Sequence, residues 1–482
     1  MHKDNISAPL DDRQARVGAA FSKLTTLLGD RATLSMALRT QHSQGEGVPD
    51  AGLPDIVTFA QTTQEVAEIA KICTTHVLPM VPFGAGSSLE GQLAAVEGGV
   101  SINLTQMDKV LSVSQASMDC RVEAGLTRMA LNRYLRETGL FFPLDPGADA
   151  TLGGMAATRA SGTNAVGYGT MREVCLGLTV VTPDGRIIQT GTRARKSAMG
   201  YDLTKLYVGS EGTLGIITEL QLRLYGQPDA IICGVCQFDE LSGATQTASM
   251  ALQAGLQMVR IELLDEVQMG ACISYSKLDE FRPIPTLFVE FHGTQQATAE
   301  QAEMFSEFAA EFGSQGFELA KTTEDRSRLW TARHNAYHAV MALAPGKRNM
   351  GTDACVPIEH LAACIEETQA DVRQSGLVAP IIGHVGDGNF HLGILFDPQD
   401  SQERNRADAL ADRVSERALR YGGSCSGEHG VGLHKIRYMR AEHGEAVEIM
   451  RAIKTALDPL GLMNPGKMIP QTVEHHNENQ NR

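Results

Sequence analysis

Residues 82–88 read PFGAGSS and residues 146–169 read PGADATLGGMAATRASGTNAVGYG, and these two stretches decide the fold. The second carries Gly147, Gly153, Gly154, Gly162, Gly167 and Gly169 among alanines, serines and threonines. A segment so poor in side chain builds little core, so its use is close approach of backbone to something else. In the first, the N–H groups of a glycine loop form a concavity for anions, and Ser87 and Ser88 add hydroxyl donors suited to a pyrophosphate. One such loop is commonplace. Two, each beside a strand, enclose a long diphosphate cofactor from both sides. The spacing does not fit the G-x-G-x-x-G fingerprint that opens a helix with an acid about 20 residues on, which excludes a nicotinamide Rossmann site.

Outward from these loops, Thr62 and Glu65 make a capping box for a helix on which Val66, Ile69, Ala70 and Cys73 recur at helical spacing. Strands are expected at 77–81, 100–104 and 121–124, a rhythm of strand, loop, strand with no clean βαβ unit. Residues 178–181 and 187–188 read as a hairpin about Pro183-Asp184-Gly185, and 209–218 leads into a strand at 219–224. Near Gly226-Gln227-Pro228 the glycine-rich character stops and amphipathic helices begin, at 243–255, 297–312, 359–375 and 402–421. The expected division is an N-terminal helical arm over 1–51, a first domain over 52–227, a second over 228–470 and a disordered tail over 471–482.

The 482 residues, 43% hydrophobic and 21% charged, suffice for two or three packed units. A formal net charge of -15 opposes nucleic acid or an anionic membrane as main partner. No apolar run reaches the roughly 18 residues of a membrane span, and the first 30 residues lack a signal-type core, so the expected location is cytoplasmic. Nine scattered cysteines suggest reduced thiols. Cys233 and Cys236 form a lone C-x-x-C in an apolar strand, where packing is the expected role.

The segment Gly383-His384-Val385-Gly386-Asp387-Gly388-Asn389-Phe390-His391 carries the most chemistry. Asp387-Gly388 is a two-residue hairpin signal, and a turn centred there pairs His384 directly with His391 across the strands. Glu428, in Gly427-Glu428-His429-Gly430, supplies a carboxylate. Two histidines and one glutamate leave open positions and suit zinc, manganese or ferrous iron. Either histidine alone is more often a satisfied core residue; the set of three reads as a metal site. His429, beside a ligand, is free to act as a base. A helix over 325–343 is expected to bring Trp330, Arg333 or His334, and Tyr337 to one face, and the Arg333 fork suits a planar carboxylate. Lys347 and Arg348, past Pro345-Gly346, read as solvated.

Together 82–88, 145–169, 209–218, 384–391, 427–432 and Asn464-Pro465-Gly466-Lys467 resemble the vanillyl-alcohol-oxidase-type FAD family, more narrowly its D-lactate dehydrogenase (cytochrome) branch. Relatives of that branch are D-2-hydroxyglutarate dehydrogenase and the glycolate oxidase FAD subunit. The resemblance implies an α+β protein with a PCMH-type FAD-binding domain and a C-terminal FAD-linked oxidase domain built on a ferredoxin-like sheet, whose last residues return to the flavin. It implies that Gly84, Ala85, Gly86, Ser87 and Ser88, with Pro146, Gly147, Gly153, Gly154, Ala157, Ser161, Gly162 and Gly169, hold the diphosphate and adenine side. By the same resemblance Glu211, Gly212 and Ile217 line the cofactor, Asn464 approaches the flavin, and Asn389 and Arg333 touch substrate.

The implied reaction is hydride transfer from a D-2-hydroxy acid, D-lactate foremost, to FAD, with electrons passed to a cytochrome or quinone-linked carrier. The first loop lacks the histidine that often carries covalent flavin in such proteins, so dissociable FAD is expected. A homodimer, and a peripheral place at the inner membrane through the acceptor, are compatible with this reading. A metal-dependent hydrolase would use the same histidines and glutamate but leave both glycine loops idle; a flavin carrier would not need the metal set.

Overall fold

Val66, Ile69, Ala70 and Cys73 are all buried along the helix Thr63–Thr75, which lies over a small sheet and sets the architecture of the first half. The computed structural model describes residues 10–43, 45 and 52–471. The expected tail beyond residue 471, and residues 1–9, 44 and 46–51 of the expected arm, lie outside the described residues. Thr62 caps the helix by accepting from the Glu65 N–H at 3.1 Å, but the Glu65 carboxylate does not close the box. It bonds the Gln61 N–H at 2.8 Å and Arg31 instead, tying down the end of the helix Leu10–Leu28 and its short continuation.

The strands Ile56–Phe59, Val100–Asn103 and Met80–Phe83 run parallel, in that order. Ile56–Phe59, Thr63–Thr75 and Met80–Phe83 therefore do form a βαβ unit, contrary to the sequence rhythm, although Met80–Phe83 reaches Val100–Asn103 by a loop alone. The strand begins three residues later than expected because Val77, at φ +51°, and Leu78, whose N–H bonds the Cys73 carbonyl, still close the helix. Beside this sheet stands an antiparallel one in the order Val110–Ser114, Asp119–Glu123, Ile216–Arg223, Cys175–Val181, Ile187–Gly191. Its last pair is the expected hairpin. The far end of the chain joins the same core: the Met80 N–H bonds the Leu462 carbonyl at 2.8 Å, and the Asn464 N–H bonds the Met80 carbonyl at 2.8 Å.

The second half is an antiparallel sheet ordered Ser314–Leu319, Ala230–Phe238, Thr286–Gly293, Met258–Leu264, Ile381–His384, Asn389–Phe396, Arg348–Gly351. Alternation along each strand splits its side chains between two cores. Leu287, Val289 and Phe291 face the helices Leu241–Gln253, Gln295–Glu311, Ile358–Ser375 and Ser401–Arg420, whereas Phe288 faces Glu266–Ser276, Thr323–His334 and Ala336–Leu343. Cys236 belongs to the first core and Cys233 to the second, so the C-x-x-C straddles the sheet and binds nothing jointly. All nine cysteines are free. Among the described residues no helix is long and apolar enough to cross a membrane.

Candidate active site

The loop 84–88 leaves Met80–Phe83 and meets Thr151, whose hydroxyl caps the helix Leu152–Thr158. A Cβ on Gly84 would lie 2.3 Å from Thr151 Oγ1, and one on Gly153 would lie 2.6 Å from the Ala124 Cβ. Neither position admits a side chain, so the glycine stretches pack with backbone exposed to the space between them. That space is a cavity of about 550 Å³. Gly84, Ala85, Gly86, Ser87, Ser88, Pro146, Gly147, Gly153, Gly154, Ala157, Gly162, Glu211, Gly212, Ile217 and Asn464 all line it. Ser161 and Gly169 do not: Ser161 is buried behind the wall, and Gly169 turns the chain into a capping box made by Thr170 and Glu173.

The Ser88 hydroxyl and Asn464 Oδ1 are buried at this wall without a protein partner. Buried polar atoms are rarely left so, and a narrow, backbone-lined cleft with hydroxyl donors fits a dinucleotide such as FAD. Among the described residues no cysteine lines the cavity, and neither glycine loop carries a histidine to attack a flavin ring. Acid or heat precipitation of the holoprotein is therefore expected to leave the yellow colour in the supernatant; colour retained in the pellet would refute dissociable binding.

At the other end of the cavity Ile381–His384 and Asn389–Phe396 form the expected hairpin with a different register. Its turn takes four residues, Val385 to Gly388, wound as a single 3-10 turn and closed by Gly388 at φ +74°. His384 consequently pairs with Asn389 and His391 with Ile382, two places from the direct His384–His391 pairing. A shift of two keeps both imidazoles on one face. They sit as diagonal neighbours with ring centroids 5.5 Å apart.

Glu428 Oε1 lies 3.2 Å from His384 Nε2 and 3.4 Å from His391 Nε2. The remaining ring nitrogens are occupied: His384 Nδ1 is 2.8 Å from Glu262 Oε1, and His391 Nδ1 donates to the Thr352 carbonyl at 3.0 Å. Outer partners of this kind orient metal-ligating imidazoles. Burial would lower the His384 pKa, but Glu262 and Glu428 outweigh it and hold it well above its usual value. Burial would raise that of Glu428, and His384 and His391 draw it down. Carboxylates concentrated around two imidazoles create a potential that favours a cation, and the donor set fits a divalent ion.

The expected helix over 325–343 breaks at Asn335 into Thr323–His334 and Ala336–Leu343. Arg333, His334 and Tyr337 line the cavity, but Trp330 turns away and donates to Glu290 Oε2 at 2.6 Å beneath the Arg260 guanidinium. Arg333 is 7% exposed, gives one terminal nitrogen to Glu262 Oε2 at 2.5 Å, and has its Nε unpartnered. Lys347 pairs with Glu403 at 2.5 Å and Arg348 is exposed; neither lines the cavity. Nor does Asn389, whose amide donates to Asp353 Oδ1 at 2.8 Å and the Ala354 carbonyl at 2.9 Å.

His429 stacks on His391, centroids 5.0 Å apart at 9°. The N–H groups of Glu428 and His429 donate to Asp353 Oδ2 at 2.9 and 2.7 Å, which fixes the loop that carries both. His429 Nδ1 lies 3.4 Å from Glu90 Oε1, an oxygen that also takes the buried Lys435 ammonium at 3.0 Å. Burial pushes the His429 pKa down; Asp353 and Glu90 push it further up, and the net shift is upward. Glu211 accepts from the Val431 and Gly432 N–H groups at 2.6 and 2.8 Å, so its carboxylate holds this loop and not a cofactor phosphate. Burial raises its pKa to about 7. Glu90, Glu262 and Asp353 escaped the sequence reading, although Glu262 in Ile261-Glu262-Leu263 is an acid inside an apolar strand, a pattern that calls for a buried partner.

The family model described as FAD binding domain matches residues 54–191, and the one described as FAD linked oxidases, C-terminal domain, matches residues 227–468. The chain is 47% identical over 465 residues to a protein of Danio rerio named probable D-lactate dehydrogenase, mitochondrial, covering 95% of this chain and 93% of that one. It is 43% identical to D-lactate dehydrogenase (cytochrome), mitochondrial, of Arabidopsis thaliana, covering 98% of this chain and 84% of that one. Among solved structures, 4-ethylphenol oxidase from Gulosibacter chungangensis superposes with a TM-score of 0.78 at 18% identity, over 97% of this chain and 98% of that one, a likeness of fold.

Proposed function

Since the chain belongs to the FAD-linked oxidases, we propose that it is an FAD- and metal-dependent dehydrogenase that converts D-lactate to pyruvate. The observation that carries this reading is that one cavity holds both the glycine cradle and the cluster of His384, His391, Glu428, His429 and Arg333. Bound FAD supplies the two-electron acceptor for the hydride of the substrate Cα, and a divalent ion, zinc or manganese, supplies charge beside the substrate oxygens. The cradle and Asn464 would hold the first; His384, His391 and Glu428 would hold the second.

The protein's own part is orientation and proton transfer. Arg333, fixed through Glu262, lines the cavity and would pair its guanidinium with the substrate carboxylate. His429 receives the α-hydroxyl proton, with Glu90 beside its Nδ1 and Asp353 fixing its backbone. Loss of that proton and of the Cα hydride turns the alcohol carbon into the carbonyl of a 2-keto acid. A cytochrome or quinone-linked carrier is the acceptor that fits a flavoprotein of this type, and a cytosolic location fits nine unpaired thiols.

The alternatives are D-2-hydroxyglutarate and glycolate, and steady-state turnover of an artificial dye with a panel of D- and L-2-hydroxy acids separates them. A second carboxylate, once buried, needs its own cation, and Lys347 and Arg348 stand off the cavity. The expected result is a higher kcat/KM for D-lactate than for D-2-hydroxyglutarate or L-lactate. A tenfold preference for the diacid, about 1.4 kcal/mol of transition-state binding, would overturn the lactate assignment and leave the cofactor assignments untouched.

A further inference from the structure

A second cavity, of about 210 Å³, opens at the seam between the two halves, behind the wall of the first. Arg128, at the start of the helix Arg128–Leu135, enters it from the FAD-binding half; Arg260, Glu290 and Arg326 enter from the other, and Asp145 lines both cavities. The polar groups here are not equally engaged. Glu290 accepts from His292 at 2.7 Å, Trp330 at 2.6 Å and Arg326 Nε at 2.9 Å. Arg260 donates to Asn164 Oδ1 at 2.6 Å and Asp145 Oδ2 at 2.9 Å, and lies on the Trp330 ring. Both carboxylates are thus matched by Arg260, His292 and one nitrogen of Arg326.

What remains is surplus donor capacity of one sign. Among the described residues the Arg128 side chain makes no hydrogen bond or ion pair, and its Nε is buried. The terminal nitrogens of Arg326 likewise have no partner, since its bond to Glu290 uses Nε. Three guanidiniums against two carboxylates leave the cavity positive within a chain of net charge -15. A fork with a buried, unpaired nitrogen has a standing desolvation cost that an anionic acceptor removes.

We propose that this cavity binds a small anion, a carboxylate or a phosphate, clamped between Arg128 of one half and Arg326 of the other. The ligand ties the halves together without entering the active cavity. It reaches that cavity only through Asp145, whose Oδ2 takes Arg260 on one side and lies 3.4 Å from His334 Nε2 on the other.

The test is thermal unfolding of the FAD-loaded protein in sodium phosphate, sodium succinate and sodium chloride at matched ionic strength. Phosphate or succinate is expected to raise Tm by about 2–4 °C over chloride, the larger rise identifying the tetrahedral or planar ligand. Arg128→Gln and Arg326→Gln should each abolish the rise, whereas binding in the active cavity would survive both. Equal Tm in all three salts, or a rise that persists in both variants, overturns the proposal. Should either variant fail to fold, equilibrium dialysis of the parent with labelled phosphate decides, and no binding above that of a protein without the site refutes it.

Discussion

Replacing His429 with glutamine lowers kcat for D-lactate by about 10²–10⁴-fold, the usual contribution of a positioned general base, while flavin absorbance and metal content stay unchanged. The side chain stacks on His391 without being one of the proposed ligands His384, His391 and Glu428, so its loss leaves those three groups in place. Its backbone N–H bond to Asp353 is kept by glutamine, so the loop should hold its course. The outcome is read as kcat against KM: loss confined to kcat marks an interaction made in the transition state. A variant with parent-like kcat would remove His429 from the mechanism.

A larger effect is expected on removing the proposed metal. Dialysis against a chelator, or His384→Ala, should abolish dye-linked turnover with FAD still bound, and metal analysis should show the ion gone. Readdition of zinc or manganese should restore the chelated parent and not the variant. Glu262→Gln grades the same argument. It weakens the partner of His384 Nδ1 without deleting a ligand, so metal affinity should fall about 10–100-fold. Because Glu262 also holds Arg333, KM should rise in the same variant. Full activity in a metal-free preparation would make the cluster structural.

Much of this site was legible in the sequence because its chemistry is written in short runs. The glycines of 84–88 and 146–169 had no other use, and the His384 to His391 segment announced a hairpin. The register within that hairpin was not legible. Asp387-Gly388 signals a tight turn equally well whether the turn has two residues or four, and only the packing of Val385, fully buried, selects the longer one. The break at Asn335 was hidden for a related reason: apolar spacing continues across it, and the bend appears only when Trp330 finds Glu290 and Arg333 finds Glu262 on different strands. Glu211 shows a role the sequence did not announce. It was expected to line the cofactor and it does line the cavity, but a carboxylate has acceptors only, and its two oxygens serve the N–H groups of Val431 and Gly432.

Met80–Phe83 is an outer strand of its sheet, and the chain that covers it, at Leu462 to Asn464, follows the whole second half in sequence. On the ribosome the nucleotide-binding half therefore waits with an open edge, and with Asn464 missing from its cleft, until the second half has been made. Closure of the cofactor cleft is in this way tied to synthesis of the second half. A chain that stopped short of Leu462 would carry the glycine cradle without the segment that closes it.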